Sequence, residues 1–187
     1  MKLEFKRKMF HMSSGLLFAY LLHAKMVGLM HFIVLLCIAL PLSYACRICR
    51  IPVVSWLLTQ LDRPADRKAF PGKGSVFLLL GVICSLILFE RETALASITI
   101  LALGDAVSPL VGPYGRIRHP LNRKKKIEGT IAGIFAAFLG ALFFVTTLQA
   151  MLGAFFAMLA ESLDTKIDDN LVIPLVAGAV ISLVMLI

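Results

Sequence analysis

The sequence predicts an all-α integral membrane protein: a polytopic bundle of about seven transmembrane helices, one domain over residues 1–187, with its N-terminus cytoplasmic. Three observations carry that expectation. The chain is 59% hydrophobic and its mean hydropathy is +0.90. Several apolar runs approach the roughly 20 residues that cross a hydrocarbon core of about 30 Å. The 19 Lys and Arg and 11 Asp and Glu residues are gathered between those runs rather than spread along amphipathic faces. The net charge of +8 is distributed as membrane-orientation signals and as clusters suited to an anionic substrate, which argues against a nucleic-acid partner.

The elements follow in order. The first apolar run covers 9–23, behind Lys2, Lys6, Arg7 and Lys8. No small-x-small site precedes a soluble region, so no cleavable leader is expected. The second run covers 26–46. Residues 51–61 are too few to span; Pro52 suits a helix start and Asp62-Arg63-Pro64 a stop, so this is expected to be an interfacial or re-entrant helix. The runs 75–89 and 94–111 are the third and fourth spans. As one helix, 129–160 would reach about 48 Å, too long for a bilayer. Thr146-Thr147-Leu148-Gln149 is its only polar interruption, so a tight hairpin of two helices, 129–146 and 148–160, is predicted. The last span is 171–187.

Seven spans place residues 1–8, 47–74, 112–128 and 161–170 on one side. That side holds 17 of the 19 cations, leaving Lys25 and Arg91 opposite. The positive-inside rule makes it cytoplasmic. Every polar motif lies on it, as a shared site requires.

Four motifs converge there. Arg7, His11 and Gly15 are four apart, on one helix face; the basic start serves either as headgroup anchors or as ligand contacts. In Pro71-Gly72-Lys73-Gly74-Ser75, two glycines and a lysine open a helix. They can offer backbone N–H groups and an ammonium to phosphate, or form a turn with a snorkelling lysine. Asp105, beside Gly104, is the only ionisable residue between Thr93 and Val111. A carboxylate inside a span needs a cation, a metal or a water-filled cavity. Close behind come Lys124-Lys125-Lys126 and Glu128-Gly129-Thr130. Finally, Glu161, Asp164, Asp168 and Asp169 place four carboxylates in nine residues. Such hard oxygen ligands suit Mg²⁺ bound together with substrate phosphates; the other reading is an acidic loop capping the last helix. Glu161, Asp164 and Asp168 share a face if the preceding helix continues to 168. Cys46-x-x-Cys49 lacks the further ligands of a zinc site and reads as reduced thiols. His119 falls in the basic loop, where solvation or an added phosphate contact both fit.

In this order the motifs resemble the CTP-dependent lipid kinases: dolichol kinase, phytol kinase and yeast-type diacylglycerol kinase. The resemblance rests on Arg7-Lys8-x-x-His11-x-x-x-Gly15, Pro71 to Ser75, Ala102 to Ala106 with Gly112 and Gly115, Lys124 to Thr130, and Ala160-Glu161-Ser162 with Asp168 to Pro174. It implies transfer of the CTP γ-phosphate to a membrane-embedded lipid alcohol, polyprenol or dolichol foremost, with Mg²⁺ or another divalent cation. Asp105, Lys125 and Glu128 are then the expected catalytic residues. Arg7, His11, Gly72, Lys73, Gly74, Ser75, Gly104, Lys124, Lys126, Gly129 and Thr130 are the expected nucleotide contacts. Asp105, Glu161, Asp168 and Asp169 supply metal ligands, with Asp105 open to either a base or a ligand role. The phosphatidate and archaeal-lipid cytidylyltransferases share the Gly-Asp-Ala and Lys-Lys-x-x-Glu-Gly elements, which makes CDP-lipid synthesis the alternative. Their histidine-glycine-glycine run has no counterpart here. A lipid-phosphate transporter is a third possibility, weakened by the few polar residues on the far side.

Overall fold

The computed structural model describes residues 2–49, 51–163, 165 and 167–186, the side chain of Lys2 excepted. Arg50, Asp164 and Lys166, which the sequence assigned to the polar side, lie outside the described residues. The chain is all-helical. Among the described residues there is no β-strand beyond one isolated bridge, Arg118 to Lys126.

Nine α-helices are described: α1 Lys2–His23, α2 Leu29–Ile48, α3 Pro52–Leu61, α4 Pro64–Ala69, α5 Lys73–Leu88, α6 Arg91–Val111, α7 Ile127–Ala141, α8 Thr147–Ser162 and α9 Asp169–Met185. A 3₁₀ turn, Gly112–Tyr114, extends α6. Each predicted apolar run contains a helix, although α7 stops at Ala141 rather than at 146, and the punctuation explains the borders. Pro52 and Pro64 open α3 and α4, where a missing N–H costs nothing. Thr146 caps α8 in a box with Gln149, whose side chain accepts from the Thr146 amide at 2.9 Å. Asp168 caps α9 by accepting from the Asn170 amide at 3.2 Å. The six-residue α4 was not anticipated, because Pro64 reads equally as a stop and as a start.

Among the described residues, two helical segments, Leu29–Ile48 and Arg91–Tyr114, are long and apolar enough to cross a membrane. The helices α5, α7, α8 and α9, of 15 to 17 residues, reach only about 22–26 Å at 1.5 Å per residue. The sequence expectation of seven spans therefore goes beyond what these lengths establish.

The helix α6 is the axis, packed against α1, α5, α7, α8 and α9. Leu95, Ile98 and Ile100 on it are fully buried. Small residues let its neighbours close in: Ala137 and Ala141 of α7 and Ala150, Ala154 and Ala157 of α8 are wholly enclosed. Met158 fills the seam they leave. A side chain at Gly104 would stand 2.5 Å from its sulfur, and one at Gly133 would stand 2.7 Å from its methyl. At one end of the bundle Arg91 donates to the Leu22 and His23 carbonyls at 2.8 and 3.0 Å, closing α1. At the other end lie the starts of α1, α5, α7 and α9 and the ends of α6 and α8, which together carry the motifs.

Candidate active site

Glu4, Arg7, Lys8 and His11 follow the i, i+3, i+4, i+7 spacing of one helical face of α1. That face meets α6. The Lys8 ammonium donates to Asp105 Oδ1 at 2.6 Å, and both side chains are almost completely enclosed. The α6 carboxylate thus has a cation partner 97 residues away. Beside it, Arg7 and Arg63 both bind Glu4, the latter at 3.1 Å. The end of α8 brings Glu161, 3% exposed, to Lys125 Nζ at 2.7 Å. The same ammonium donates to the Glu161 backbone carbonyl. The start of α9 brings Asp169.

Carboxylate oxygens of Asp105, Glu161 and Asp169 lie within 4.8 Å of one another, contributed by three different helices. They belong to a cavity of about 330 Å³. Its described charged lining is Glu4, Asp105, Glu161, Asp168 and Asp169 against Arg7, Lys8, Arg63, Lys73 and Lys125: five of each sign. Asp169 precedes the apolar stretch of α9. Burial, reinforced by Asp105 and Glu161 and opposed by Lys125, pushes it up to about 6. Among the described residues, three crowded carboxylates meet two close lysines, Lys8 and Lys125, which leaves room for one more cation. The residues fit a divalent metal ion: the donors are hard oxygens, and the buried Glu161 Oε2 has no protein partner. Arg7 Nε, His11 Nε2 and Asn170 Oδ1 are likewise enclosed and unpartnered, and Arg7 and Asn170 line the cavity. Buried polar atoms ordinarily have partners, so these atoms favour a polar ligand.

A second cleft of about 260 Å³ holds Lys124, Lys125 and Lys126 along Ser108, Pro109 and Pro113. It shares Pro109, Lys125 and Glu161 with the cavity. Glu128, expected to be catalytic, is placed elsewhere. Its carboxylate accepts from the Arg116 and Ile117 amides at 2.6 and 3.0 Å, fixing the loop that carries the lysines. Lys126 donates to the Arg116 carbonyl at 3.3 Å. Thr130 and Ser162 share a buried hydroxyl contact of 3.1 Å, which ties α7 to α8. His119 is enclosed rather than solvated. Its backbone amide donates to the Lys125 carbonyl at 3.0 Å. Its ring nitrogen Nδ1 accepts from the Leu121 amide at 3.3 Å, so it shapes the loop.

The Pro71–Ser75 turn is built differently from its predicted phosphate cradle. Gly72 takes a left-handed conformation, φ 73°, and its amide donates to the Asp62 carboxylate at 2.6 Å. That amide is already committed. Ser43 donates to the Pro71 carbonyl at 2.5 Å. Gly74 lets His11 approach: a Cβ there would stand 2.7 Å from Nε2. Lys73 does face the cavity, 3.4 Å from Asp168. Asp168 therefore serves Lys73 and the α9 cap, while its neighbour Asp169 joins the carboxylate cluster. Ser75 is half-buried and outside the cavity lining. Gly104 serves helix packing against Met158.

Gly129 has a similar place. A Cβ would stand 2.6 Å from the Ser108 carbonyl and 2.9 Å from Gly112 Cα, both backbone atoms. Gly129→Ala is expected to cost about 1–3 kcal/mol by forcing α6 and α7 apart. Thermal unfolding in detergent checks this. An unchanged unfolding temperature with weakened nucleotide binding would assign Gly129 to the ligand instead.

Sequence reasoning gave no site role to Lys8, Glu4, Arg63, Asp62 or Asn170. The helical spacing of Glu4, Arg7, Lys8 and His11 was the available signal for the first two.

The fold and the site define an apolar helical bundle with one charged end that encloses clustered carboxylates and lysines. Comparison with known proteins narrows this. The chain is 27% identical over 186 residues to an uncharacterized protein of Methanocaldococcus jannaschii, covering 96% of this chain and 93% of that one. It is also 27% identical over 144 residues to CTP-dependent diacylglycerol kinase 1 of Schizosaccharomyces pombe, covering 67% of this chain and 65% of that enzyme. No protein-family profile matches the chain, and no solved structure matches it. The similarity supports a CTP-dependent lipid kinase, and together with the apolar helices it supports membrane association.

Proposed function

We propose that this protein transfers the γ-phosphate of CTP to the hydroxyl of a membrane-embedded long-chain alcohol of the polyprenol or dolichol type, at the cytoplasmic face. The observation that carries the reading is the convergence of Asp105, Glu161 and Asp169 within 4.8 Å of one another, in a cavity that also presents five cations. Similarity to a CTP-dependent diacylglycerol kinase supports CTP as donor; the cation count on the site's side supports the cytoplasmic face.

Lys124, Lys125 and Lys126 bind the triphosphate from the cleft, and Arg7 and Lys73 bind it from the cavity. Glu161 and Asp169, with Asp105 beside them, would hold Mg²⁺, which would supply charge neutralisation to the phosphates. Asp105, ion-paired to Lys8, accepts the hydroxyl proton. The alcohol oxygen bonds to the γ-phosphorus as its bond to the β,γ-bridging oxygen breaks, and CDP leaves. Arg7 and Lys125 offset the charge that builds on the leaving oxygens. Glu128 acts at a distance, by holding the loop that presents the lysines.

The test is purified protein in vesicles with γ-labelled CTP or ATP and a panel of polyprenols, dolichol, phytol and diacylglycerol. Label in the lipid product, with CTP the better donor, is the expected result. A lipid product carrying cytidine would establish the cytidylyltransferase reading, and no lipid product from any pairing would overturn the assignment. In the same assay, the triple alanine variant of Lys124 to Lys126 is expected to raise the KM for CTP at least tenfold and also to lower the unfolding temperature, because the buried Glu161 loses Lys125. Unchanged CTP affinity would reduce the run to a topology signal.

A further inference from the structure

Beside the charged cavity lies a third hollow of different character, a groove of about 570 Å³ between the start of α1 and the end of α6. Its apolar walls are Phe5 on one side and Leu110, Pro113 and Tyr114 on the other. Phe5 is 53% exposed and Tyr114 is 83% exposed, so the groove opens sideways at the bundle surface. At its inner end it shares Glu4, Lys8 and Pro109 with the charged cavity. The hollows at the opposite end, around Leu22 and Leu29 and around Glu90 and Thr146, share no lining residue with that cavity.

We infer that this groove seats the hydrocarbon chain of the acceptor alcohol and delivers its hydroxyl to Asp105. The inference deepens the proposed function and rests on it. The groove has the polarity of such a molecule: apolar walls, with Glu4 and Lys8 at the inner end, while the exposed Lys6 also borders it. The local helix geometry explains the junction. Asp105 and Pro109 are one turn apart on the same face of α6, just as Glu4 and Lys8 are on α1. Phe5 and Leu110 each follow one of these residues and so flank the pair of charged stripes. One contact between two helices therefore has a polar inner edge and an apolar outer edge. Pro109 adds a further feature. It has no N–H, so the Asp105 backbone carbonyl lacks its usual helical donor and remains an acceptor at the junction. An alcohol hydroxyl is a donor suited to it. The chain itself gains only by leaving water or by replacing lipid contacts with Phe5, Leu110 and Tyr114, which asks for hydrocarbon rather than a polar tail.

The experiment uses the full chain in vesicles and two readouts. The first is photocrosslinking with a diazirine-bearing long-chain alcohol, without nucleotide, followed by peptide mapping. Label is expected on residues 2–8 and 109–114, reduced by excess unlabelled alcohol. The second is kinetic: Leu110→Trp, which fills the groove, and Tyr114→Ala, which removes an exposed wall, are each expected to raise the KM for the alcohol at least fivefold with the KM for CTP unchanged. Tyr114 is so exposed that its truncation leaves folding intact, so one variant remains informative if Leu110→Trp fails to fold. Competed label elsewhere on the chain, or an unchanged alcohol KM in Tyr114→Ala, would overturn the groove even where the enzyme is active. Competed label in the groove of a protein that phosphorylates no alcohol would overturn the kinase reading and leave the groove standing.

Discussion

Asp105→Asn is expected to lower the rate of phosphoryl transfer by about 100- to 10,000-fold, the range for losing a positioned proton acceptor, and to destabilise the protein as well. The second effect follows from Lys8. Its ammonium sits 2.6 Å from Asp105 in an enclosed site. Neutralising the carboxylate strands that charge, and breaking a buried pair from one side costs about 3–5 kcal/mol. The lower end applies here, because the lysine stem can extend toward headgroups. The double variant Lys8→Met with Asp105→Asn removes both charges. It is expected to recover most of the unfolding temperature and none of the activity. Turnover and thermal unfolding, measured on one preparation, separate the roles. Recovery of activity together with stability would make the pair purely structural.

Glu161→Gln and Asp169→Asn are expected to act on the metal. Each should raise the Mg²⁺ concentration for half-maximal rate at least about tenfold, the loss seen even when a group merely orienting a ligand is removed. Chelation should abolish turnover in the unaltered protein. A pH signature accompanies this in the metal-free protein. Asp169 is raised from 3.8 to about 6. A carboxyl whose folded value is raised stabilises the fold below its unfolded value, and that contribution is lost as pH rises from about 4 to about 6. The unfolding temperature of Asp169→Asn relative to the parent should therefore climb across that window and level off above it. Saturating Mg²⁺ should reverse the difference at about pH 7.5, since only the parent retains the full ligand set. A flat difference across the whole range from about pH 4 to about 7.5 would place Asp169 outside the cluster.

The helix order was legible because breaks in apolar runs are local. Pro52, Gly72, Thr146 and Asp168 each start a helix for reasons contained within a few residues. The carboxylate centre was legible in part: Asp105, Glu161 and Asp169 were named, since acidic residues at the edge of hydrocarbon need a cation. What stayed hidden was pairing over distance. Helical spacing puts Lys8, but not Lys6, on the face of Glu4, Arg7 and His11, yet nothing local names their partners: one meets Asp105 and the other donates to Gln60 at 2.8 Å on the surface. Asp168 and Asp169 are adjacent and chemically alike; a turn of about 100° per residue sends one to cap and to Lys73, the other to the cluster. Gly72 and Glu128 show a related limit. A glycine beside a lysine suggests a phosphate loop, but Asp62 had already taken the amide, and a carboxylate after a lysine run can as well brace that run.

The ion pairs of the cavity also have a temporal meaning. Lys8 must wait for α6 before its ammonium finds Asp105, and Lys125 for the end of α8. Asp169 and Asn170 arrive only with α9. In a chain emerging from its N-terminus, the centre is therefore assembled from segments made far apart, and a nascent chain halted before α9 holds Asp105 and Glu161 but lacks their third carboxylate. The carboxylate cluster is therefore complete only once α9 has joined the bundle.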